Sequence, residues 1–312
     1  MNKLRPSARL VLWLTVSYSA GCVVAGIALA EISLRLPKRP LGDASTYRAD
    51  VREQFHASVE DVAIVAADQA VLRAWYAQPR DPNGKAVILL HGITDNRIGV
   101  SGYGDFFLAH GYSVLLPDSR EHGDSGGAIA TYGIMEKDDV RRWVSWLRTR
   151  SPGCTYLLGE SMGAAIGLQA TEVTTQLCAV AVESPYATFR EIGYERLGRA
   201  THLGPLVWRT LGTPVVEVAI AYSRVRYGIY LPDAEPKAAV ESSRVPTLLI
   251  AGTADKNIPP HNAQELEAAC PSHCSLWMVN GADHGGASSV APAEFQRRIL
   301  DWFQSHGEPS LH

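Results

Sequence analysis

Short apolar runs alternate along most of the chain with segments of helical periodicity. Alternating polar and apolar residues over 57–77 predict an antiparallel pair of strands. Continuous apolar runs then follow, of the kind found in strands buried on both faces: residues 86–90, 113–116, 155–158, 179–182, 247–251 and 276–279. This alternation predicts an α/β domain built on a doubly wound, mostly parallel sheet.

Helical patterns separate these strands. Residues 134–150 carry Val140, Trp143 and Leu147 at helical spacing, and residues 162–171 are rich in alanine and leucine. The interval 185–243 breaks the rhythm, because it is much longer than an ordinary crossover and holds aromatic residues at helix-like spacing. We expect a helical lid there, which shapes the substrate pocket. A scaffold elaboration without a substrate role is the alternative.

The N-terminal region predicts a membrane helix. Residues 10–30 hold no charged side chain, and as a helix they would extend about 31 Å, which matches a bilayer core. Residues 1–9 are then a tail and 31–50 a linker to the main domain, 51–306. A cleaved signal peptide is the alternative, because basic residues precede the run and Ala28-Leu29-Ala30 resembles a cleavage site. The length of the apolar run favours the anchor.

Composition argues against a nucleic-acid-binding protein, and the cysteines bear on the location of the domain. The 312 residues are 46% hydrophobic with a net charge of -3, which suits one large domain and gives no footprint for nucleic acid. Outside the apolar helix there are four cysteines, Cys154, Cys178, Cys270 and Cys274, in two plausible pairs. If oxidised, they indicate an extracytoplasmic domain. Reduced structural thiols are the alternative.

A candidate nucleophile lies at the end of the third of the parallel strands. In Gly159-Glu160-Ser161-Met162-Gly163 the glycines allow a sharp turn from strand to helix that exposes the serine hydroxyl. The pattern alone is weak, so its context decides. A serine nucleophile needs a base, an acid that orients the base, and donors for the developing oxyanion.

The chain offers a base and an acid after later strands. His284 lies in the loop after residues 276–279, and Asp255 follows the strand that ends at Ala251. Carboxyl ends of parallel strands meet at one edge of a sheet, so we expect Ser161, His284 and Asp255 to converge there. Glu183 is the rival acid. Asp283 is set aside because adjacent residues seldom orient each other's side chains.

Backbone groups are the expected oxyanion donors. They are the N–H of Met162, at the start of the helix after the nucleophile, and the N–H of Ile93 in His91-Gly92-Ile93. We expect His91 to be structural, packing beneath this loop. Metal-binding spacings such as H-E-x-x-H do not occur in the sequence, so no metal or other cofactor is expected.

Taken together, these segments resemble the α/β-hydrolase family, within it the serine-aminopeptidase-like and monoacylglycerol-lipase-like branch. The resemblance covers about residues 57–306 and rests on 89–92, 117–127, 159–163, 252–255 and 283–284, in the family's order. It implies the lid fold and the roles of Ser161, Asp255, His284, Ile93 and Met162 given above. Glu121 departs from the pattern, because the family usually has glycine there.

The expected function is that of a membrane-anchored serine esterase acting through a catalytic triad and an acyl-enzyme. Its expected partners are a small acyl ester, with a lipid-derived ester as one candidate, and the membrane. The catalytic domain is expected on the extracytoplasmic side, with secretion as the alternative. Two other functions remain open. One is a serine peptidase or aminopeptidase of the same fold. The other is a catalytically inactive, membrane-tethered binding protein.

Overall fold

An eight-stranded sheet forms the centre of the computed structural model, which describes residues 6–307. The strands are β1 Ser58–Val65, β2 Val71–Gln78, β3 Ala86–Leu90, β4 Ser113–Pro117, β5 Thr155–Glu160, β6 Leu177–Glu183, β7 Thr247–Gly252 and β8 Cys274–Val279. Their spatial order is β1-β2-β4-β3-β5-β6-β7-β8. The β1–β2 and β2–β4 pairs are antiparallel, and the other pairs are parallel. The predicted α/β class and mostly parallel sheet are confirmed.

Helices flank the sheet and extend beyond it. They are α1 Pro6–Leu34, α2 Ala44–Phe55, α3 Ser101–Ala109, α4 Glu136–Arg148, α5 Met162–Val173, α6 Phe189–Ala200, α7 Pro205–Thr210, α8 Thr213–Tyr227, α9 Pro236–Ser242, α10 His261–Ala269, α11 Ala287–Val290 and α12 Pro292–Ser305. A 3₁₀ turn covers Leu231–Asp233.

The strands are apolar throughout because both faces of the sheet are covered. In β3, Ile88 and Leu90 pack with α4, α5, α9 and α10 on one face, while Val87 and Leu89 pack with α2, α3 and α12 on the other. Residues of the strand alternate between two cores. The continuous apolar runs in the sequence are the consequence.

The interval between β6 and β7 contains the expected helices. Three of them, α6, α7 and α8, form a cap. The fourth, α9, packs against α5 and α10 instead, with Ala239 and Val240 buried in the core of the sheet. The expected lid interval of 185–243 therefore ends in a helix that belongs to the layer covering the sheet.

The N-terminal helix is longer than the predicted span. Among the described residues one helix is long and apolar enough to cross a membrane, over Ser7–Leu34 with a mean hydropathy of 1.9. The expected linker, 31–50, carries helical structure at both ends, in α1 and α2. These helices are packed against the main domain, since Leu34 in α1 and Val51 in α2 are both fully buried.

Two disulfides join the four cysteines outside α1. Cys154, just before β5, is bonded to Cys178 in β6, with the Cα atoms 5.7 Å apart. Cys270 and Cys274 are bonded across the turn between α10 and β8, with a Cα separation of 5.4 Å. Both pairs are those that the sequence suggested.

The two disulfides should differ in their contribution to stability. The first closes a loop with a sequence separation of 24, the second one of 4. Loop-closure entropy then gives about 3 kcal/mol for the first and about 2 kcal/mol for the second. We expect the double variant Cys154→Ala/Cys178→Ala to lose more free energy of unfolding in urea than Cys270→Ala/Cys274→Ala. Equal losses, or the reverse order, would contradict this expectation.

Candidate active site

Ser161 lies at the sharp turn between β5 and α5. Its backbone has φ 56° and ψ -113°, a conformation that residues other than glycine rarely adopt. Its N–H donates to the carbonyl oxygen of Glu183 at the end of β6, at 2.9 Å. This bond ties the strained residue to the neighbouring strand. The turn therefore holds the hydroxyl above the carboxyl edge of the sheet.

The glycines on either side of Ser161 are required by close packing. A Cβ on Gly159 would lie 2.5 Å from the carbonyl oxygen of Gly163, and a Cβ on Gly163 would collide with the carbonyl of Leu90 in β3. Each side chain would force the turn apart. The G-x-S-x-G spacing is therefore a packing constraint at this point in the chain.

Three predicted side chains meet at this turn. His284 Nε2 lies 2.9 Å from Ser161 Oγ, and His284 Nδ1 lies 2.8 Å from Asp255 Oδ2. With Nδ1–H donating to the carboxylate, Nε2 is left to accept the serine proton. Ser161 and Asp255 are both buried, with 4% of their surface exposed. The arrangement can remove a proton from the hydroxyl and hold the resulting imidazolium.

Asp255 is held as a carboxylate. Its Oδ1 accepts from the N–H groups of Asn257 and Ile258 at 2.7 and 2.9 Å, and its Oδ2 also accepts from the Ser184 hydroxyl at 2.9 Å. Burial opposes the charge, but the hydrogen bonds from His284, Ile258 and Ser184 lower the pKa of Asp255 below its ordinary value. A negative charge facing His284 is the result.

Glu183, the rival acid, has other partners. Its carboxylate accepts from the N–H of Ala287 at 2.7 Å and from the Tyr103 hydroxyl at 3.3 Å. Burial raises its pKa. The structure thus places Asp255 against the imidazole, and Glu183 in the layer behind it.

The loop after β3 lies beside Ser161. A Cβ added to Gly92 would lie 3.6 Å from the Ser161 Cβ, so the loop passes within one side-chain atom of contact with the serine. Ile93 and Met162 border the same cavity as Ser161. Met162 is the first residue of α5, where backbone N–H groups have no partner within the helix and the helix dipole is positive. The predicted donor residues Ile93 and Met162 therefore lie on the same side of the sheet as the serine hydroxyl, bordering one cavity with it.

His91 supports this loop from below. It is fully buried, its Nδ1 donates to the carbonyl oxygen of Gly92 at 2.8 Å, and its Nε2 accepts from the N–H of Ser119 at 3.0 Å. Burial, and then the neighbouring His122, lower the pKa of His91 to about 4. A neutral ring that bridges two loops has a structural role, as the sequence suggested.

Glu121 stands where glycine was expected, and its backbone conformation is one that glycine adopts readily. Its φ is 59°, in the left-handed region. Its carboxylate lies 3.7 Å from Lys38 Nζ, and Lys38 also donates to the carbonyl oxygen of Ser125 at 3.0 Å. The Glu121 side chain thus connects this loop to the segment that follows α1, through its ion pair with Lys38.

A cavity of about 290 Å³ opens above Ser161. Most of the residues that border it are apolar, and they come from the cap, from α1 and from neighbouring loops. The cap also contributes Arg190 and Arg196. Leu29 and Ala30 of α1 also border it, which sequence reasoning did not foresee. The spacing of small residues along α1 was the one sign in the sequence that this helix packs closely on another element. It does not say which element that is.

Comparison with known proteins agrees with the fold. The model of the "Alpha/beta hydrolase family" matches residues 87–298. The uncharacterised protein YqkD of Bacillus subtilis is 29% identical over 262 residues, which cover 82% of this chain and 83% of YqkD. A thermostable monoacylglycerol lipase of Bacillus sp. H-257 is 25% identical over 237 residues, covering 70% and 90%. A structure of the Pyrococcus furiosus esterase Pf2001 superposes with a TM-score of 0.71 at 23% identity, covering 88% and 99%. That likeness shows a shared fold.

Glu160, next to the serine, should make stability depend on pH. Burial, and then the charge of Glu183, raise its pKa from 4.5 to about 7. The folded state therefore binds more protons than the unfolded state between these values, so stability falls as pH rises from about 4.5 to about 7. In Glu160→Gln this loss is absent. We expect the variant to gain up to about 3 kcal/mol in free energy of unfolding relative to wild type between pH 5 and pH 8.

Urea unfolding at the two pH values measures this difference. The matched control is Glu294→Gln, at a half-exposed carboxylate on α12 that pairs with Arg298. A difference between Glu160→Gln and wild type that is the same at both pH values would contradict the expectation.

Proposed function

This chain belongs to the alpha/beta hydrolase family, and we propose that it is a membrane-anchored serine hydrolase that cleaves carboxylic esters. The observation that carries the proposal is the continuous chain of hydrogen bonds from Ser161 Oγ through His284 to Asp255, at 2.9 and 2.8 Å. A hydroxyl in that position is a nucleophile with its base already in place.

The proposed mechanism is acyl transfer. His284 Nε2 takes the proton of Ser161 as Oγ attacks the ester carbonyl carbon, and the carbonyl oxygen becomes an oxyanion held by the N–H groups of Ile93 and Met162. The imidazolium, stabilised by Asp255, gives its proton to the departing alkoxide. Water, deprotonated by His284, then attacks the acyl-enzyme. The acid is released and Ser161 regains its proton.

The lining of the pocket favours an ester with an apolar acyl group as the substrate. It disfavours an aminopeptidase substrate, which carries a free amine. Apolar side chains from the cap, from α1 and from the neighbouring loops form most of its border, and its titratable side chains are Arg190, Arg196 and two tyrosines. Cations repel the ammonium group that an aminopeptidase has to bind. The intact hydrogen-bonded relay also argues against an inactive binding protein, because such a protein has no use for it.

The proposed location is the extracytoplasmic side of a membrane. The length and hydropathy of α1 support an anchor. The two disulfides support an oxidising compartment for the domain. Contacts of α1 with the cap support retention of the helix over its cleavage, since cleavage after Ala30 would remove residues that border the pocket.

Removal of the nucleophile tests the proposal. Because the attacking atom is lost, we expect Ser161→Ala to lower kcat/KM for p-nitrophenyl acetate by at least about 10⁴-fold. Labelling by a fluorophosphonate should disappear, and the urea unfolding curve should stay near that of wild type. Ser145→Ala, at an exposed serine on α4, is the control and should keep both activities. Hydrolysis at the wild-type rate by Ser161→Ala would refute the assignment.

A second pair of variants decides which carboxylate orients the base. Asp255→Asn should lower kcat by about 10³- to 10⁴-fold, because the imidazole loses the partner that fixes its tautomer. Glu183→Gln should lower kcat by less than about ten-fold, since its carboxylate bonds to Ala287 and Tyr103 instead. A larger loss in Glu183→Gln than in Asp255→Asn would transfer the role to Glu183.

A further inference from the structure

The second half of α1 lies along cap helix α8, held by hydrogen bonds at both ends. The Tyr18 hydroxyl donates to the carbonyl oxygen of Leu211, just before α8, at 2.6 Å. At the other end, Glu31 Oε1 accepts from the hydroxyls of Tyr222 and Tyr227, each at 2.6 Å. The two helices therefore run side by side, in the same direction, from Tyr18 to Glu31.

Small residues permit this contact. Cys22, Gly26 and Ala30 are spaced by four, and all three are buried. A Cβ on Gly26 would lie 2.6 Å from both the Val215 carbonyl oxygen and the Val218 Cβ. Close approach at small residues is the usual packing of membrane helices. Here the partner of the apolar helix is the lid of the enzyme.

The chain that follows α1 is also fixed to the main domain. The Ser33 carbonyl oxygen accepts from the Tyr132 hydroxyl at 2.5 Å, and the Leu34 carbonyl oxygen accepts from the N–H of Ala130 at 2.8 Å. Leu34 itself is fully buried in the core. The end of α1 thus has a defined position relative to the sheet.

This position makes the last turns of α1 a wall of the pocket above the serine. Leu29, Ala30 and Ser33 border the same cavity of about 290 Å³ as Ser161. Ile32 also borders it, yet 71% of its surface is exposed, so it lies at the rim. An acyl chain in this cavity would contact the apolar helix directly.

Large apolar side chains are exposed on both α1 and the cap. Val24 of α1 is 70% exposed, and the cap leucines Leu206 and Leu211 are 72% and 69% exposed. The apolar run from Leu10 to Tyr18 extends only about 12 Å beyond the contact with the cap, less than half of a bilayer core. A membrane that covers residues 10–30 therefore also reaches Leu211, whose carbonyl oxygen accepts the hydrogen bond from Tyr18.

We propose that α1 is one wall of the acyl-binding pocket, and that the site takes long-chain acyl esters of lipids in the membrane that holds α1. This inference rests on the serine hydrolase function proposed above. The acyl chain enters past Ile32 at the rim, lies against Leu29 and Ala30, and presents its carbonyl carbon to Ser161. The same helix anchors the protein and selects the substrate.

Two glycines of α1 provide a matched test. Gly26→Leu pushes α1 away from α8, whereas Gly21→Leu makes the same change where no atom lies within 4 Å of the added Cβ. Full-length protein in phosphatidylcholine vesicles is assayed with p-nitrophenyl dodecanoate and p-nitrophenyl acetate. We expect Gly26→Leu to lower the dodecanoate-to-acetate ratio of kcat/KM at least about ten-fold. Gly21→Leu should keep the ratio within about two-fold of wild type.

Leu29→Trp tests the wall without disturbing the contact between the helices. The larger ring fills part of the cavity, so the dodecanoate-to-acetate ratio should again fall at least about ten-fold. This variant serves equally if Gly26→Leu does not fold. In every variant, labelling by a small fluorophosphonate shows whether Ser161 is still reactive. Urea unfolding shows whether the protein is still folded.

The outcomes separate the two proposals. If both Gly26→Leu and Leu29→Trp keep the wild-type ratio while still being labelled, α1 is not a wall of the pocket, and the hydrolase function stands. If wild-type protein prefers acetate to dodecanoate in vesicles, the substrate class is wrong. If wild-type protein is not labelled at Ser161, the hydrolase function fails, and this inference fails with it.

Discussion

The hydrogen bond between Ser161 Oγ and His284 Nε2 is the interaction on which the rest of the site depends. It joins residues that are 123 positions apart, and it exists because β5 and β8 end at the same edge of the sheet. The strained backbone of Ser161 and the close packing of Gly159 and Gly163 fix one side of this bond. Asp255, held by two backbone N–H groups, fixes the other.

Much of this was predictable from the sequence because its causes are local. Continuous apolar runs mark strands covered on both faces, and a glycine on each side of Ser161 marks a turn without room for side chains. Chain order and the rule that ligands gather at the carboxyl edge then brought Asp255 and His284 to Ser161. The sequence favoured Asp255 as the acid but left Glu183 as a rival, because both carboxylates come at the ends of strands that meet at that edge.

The role of α1 was not predictable, for a physical reason. A charge-free run of residues has the same composition whether it faces lipid on all sides or packs on a protein surface along one stripe. Only the partner helix distinguishes them, and α8 alternates apolar residues with Glu217, Arg224 and Arg226 in a way that suggests no binding partner. Similarly, the expected linker gave no sign that Leu34 would be buried in the core. The apolar helix α1, the cap and the pocket are consequently one connected structure.

A crystal structure of full-length protein treated with dodecyl fluorophosphonate tests this account most directly, because phosphorus marks the nucleophile and the alkyl chain marks the pocket. We expect a covalent bond from phosphorus to Ser161 Oγ, with the phosphoryl oxygen within hydrogen-bond reach of the N–H groups of Ile93 and Met162. The dodecyl chain should lie against Leu29 and Ala30. An adduct on another residue, or an alkyl chain that leaves the pocket without contact to α1, would contradict it.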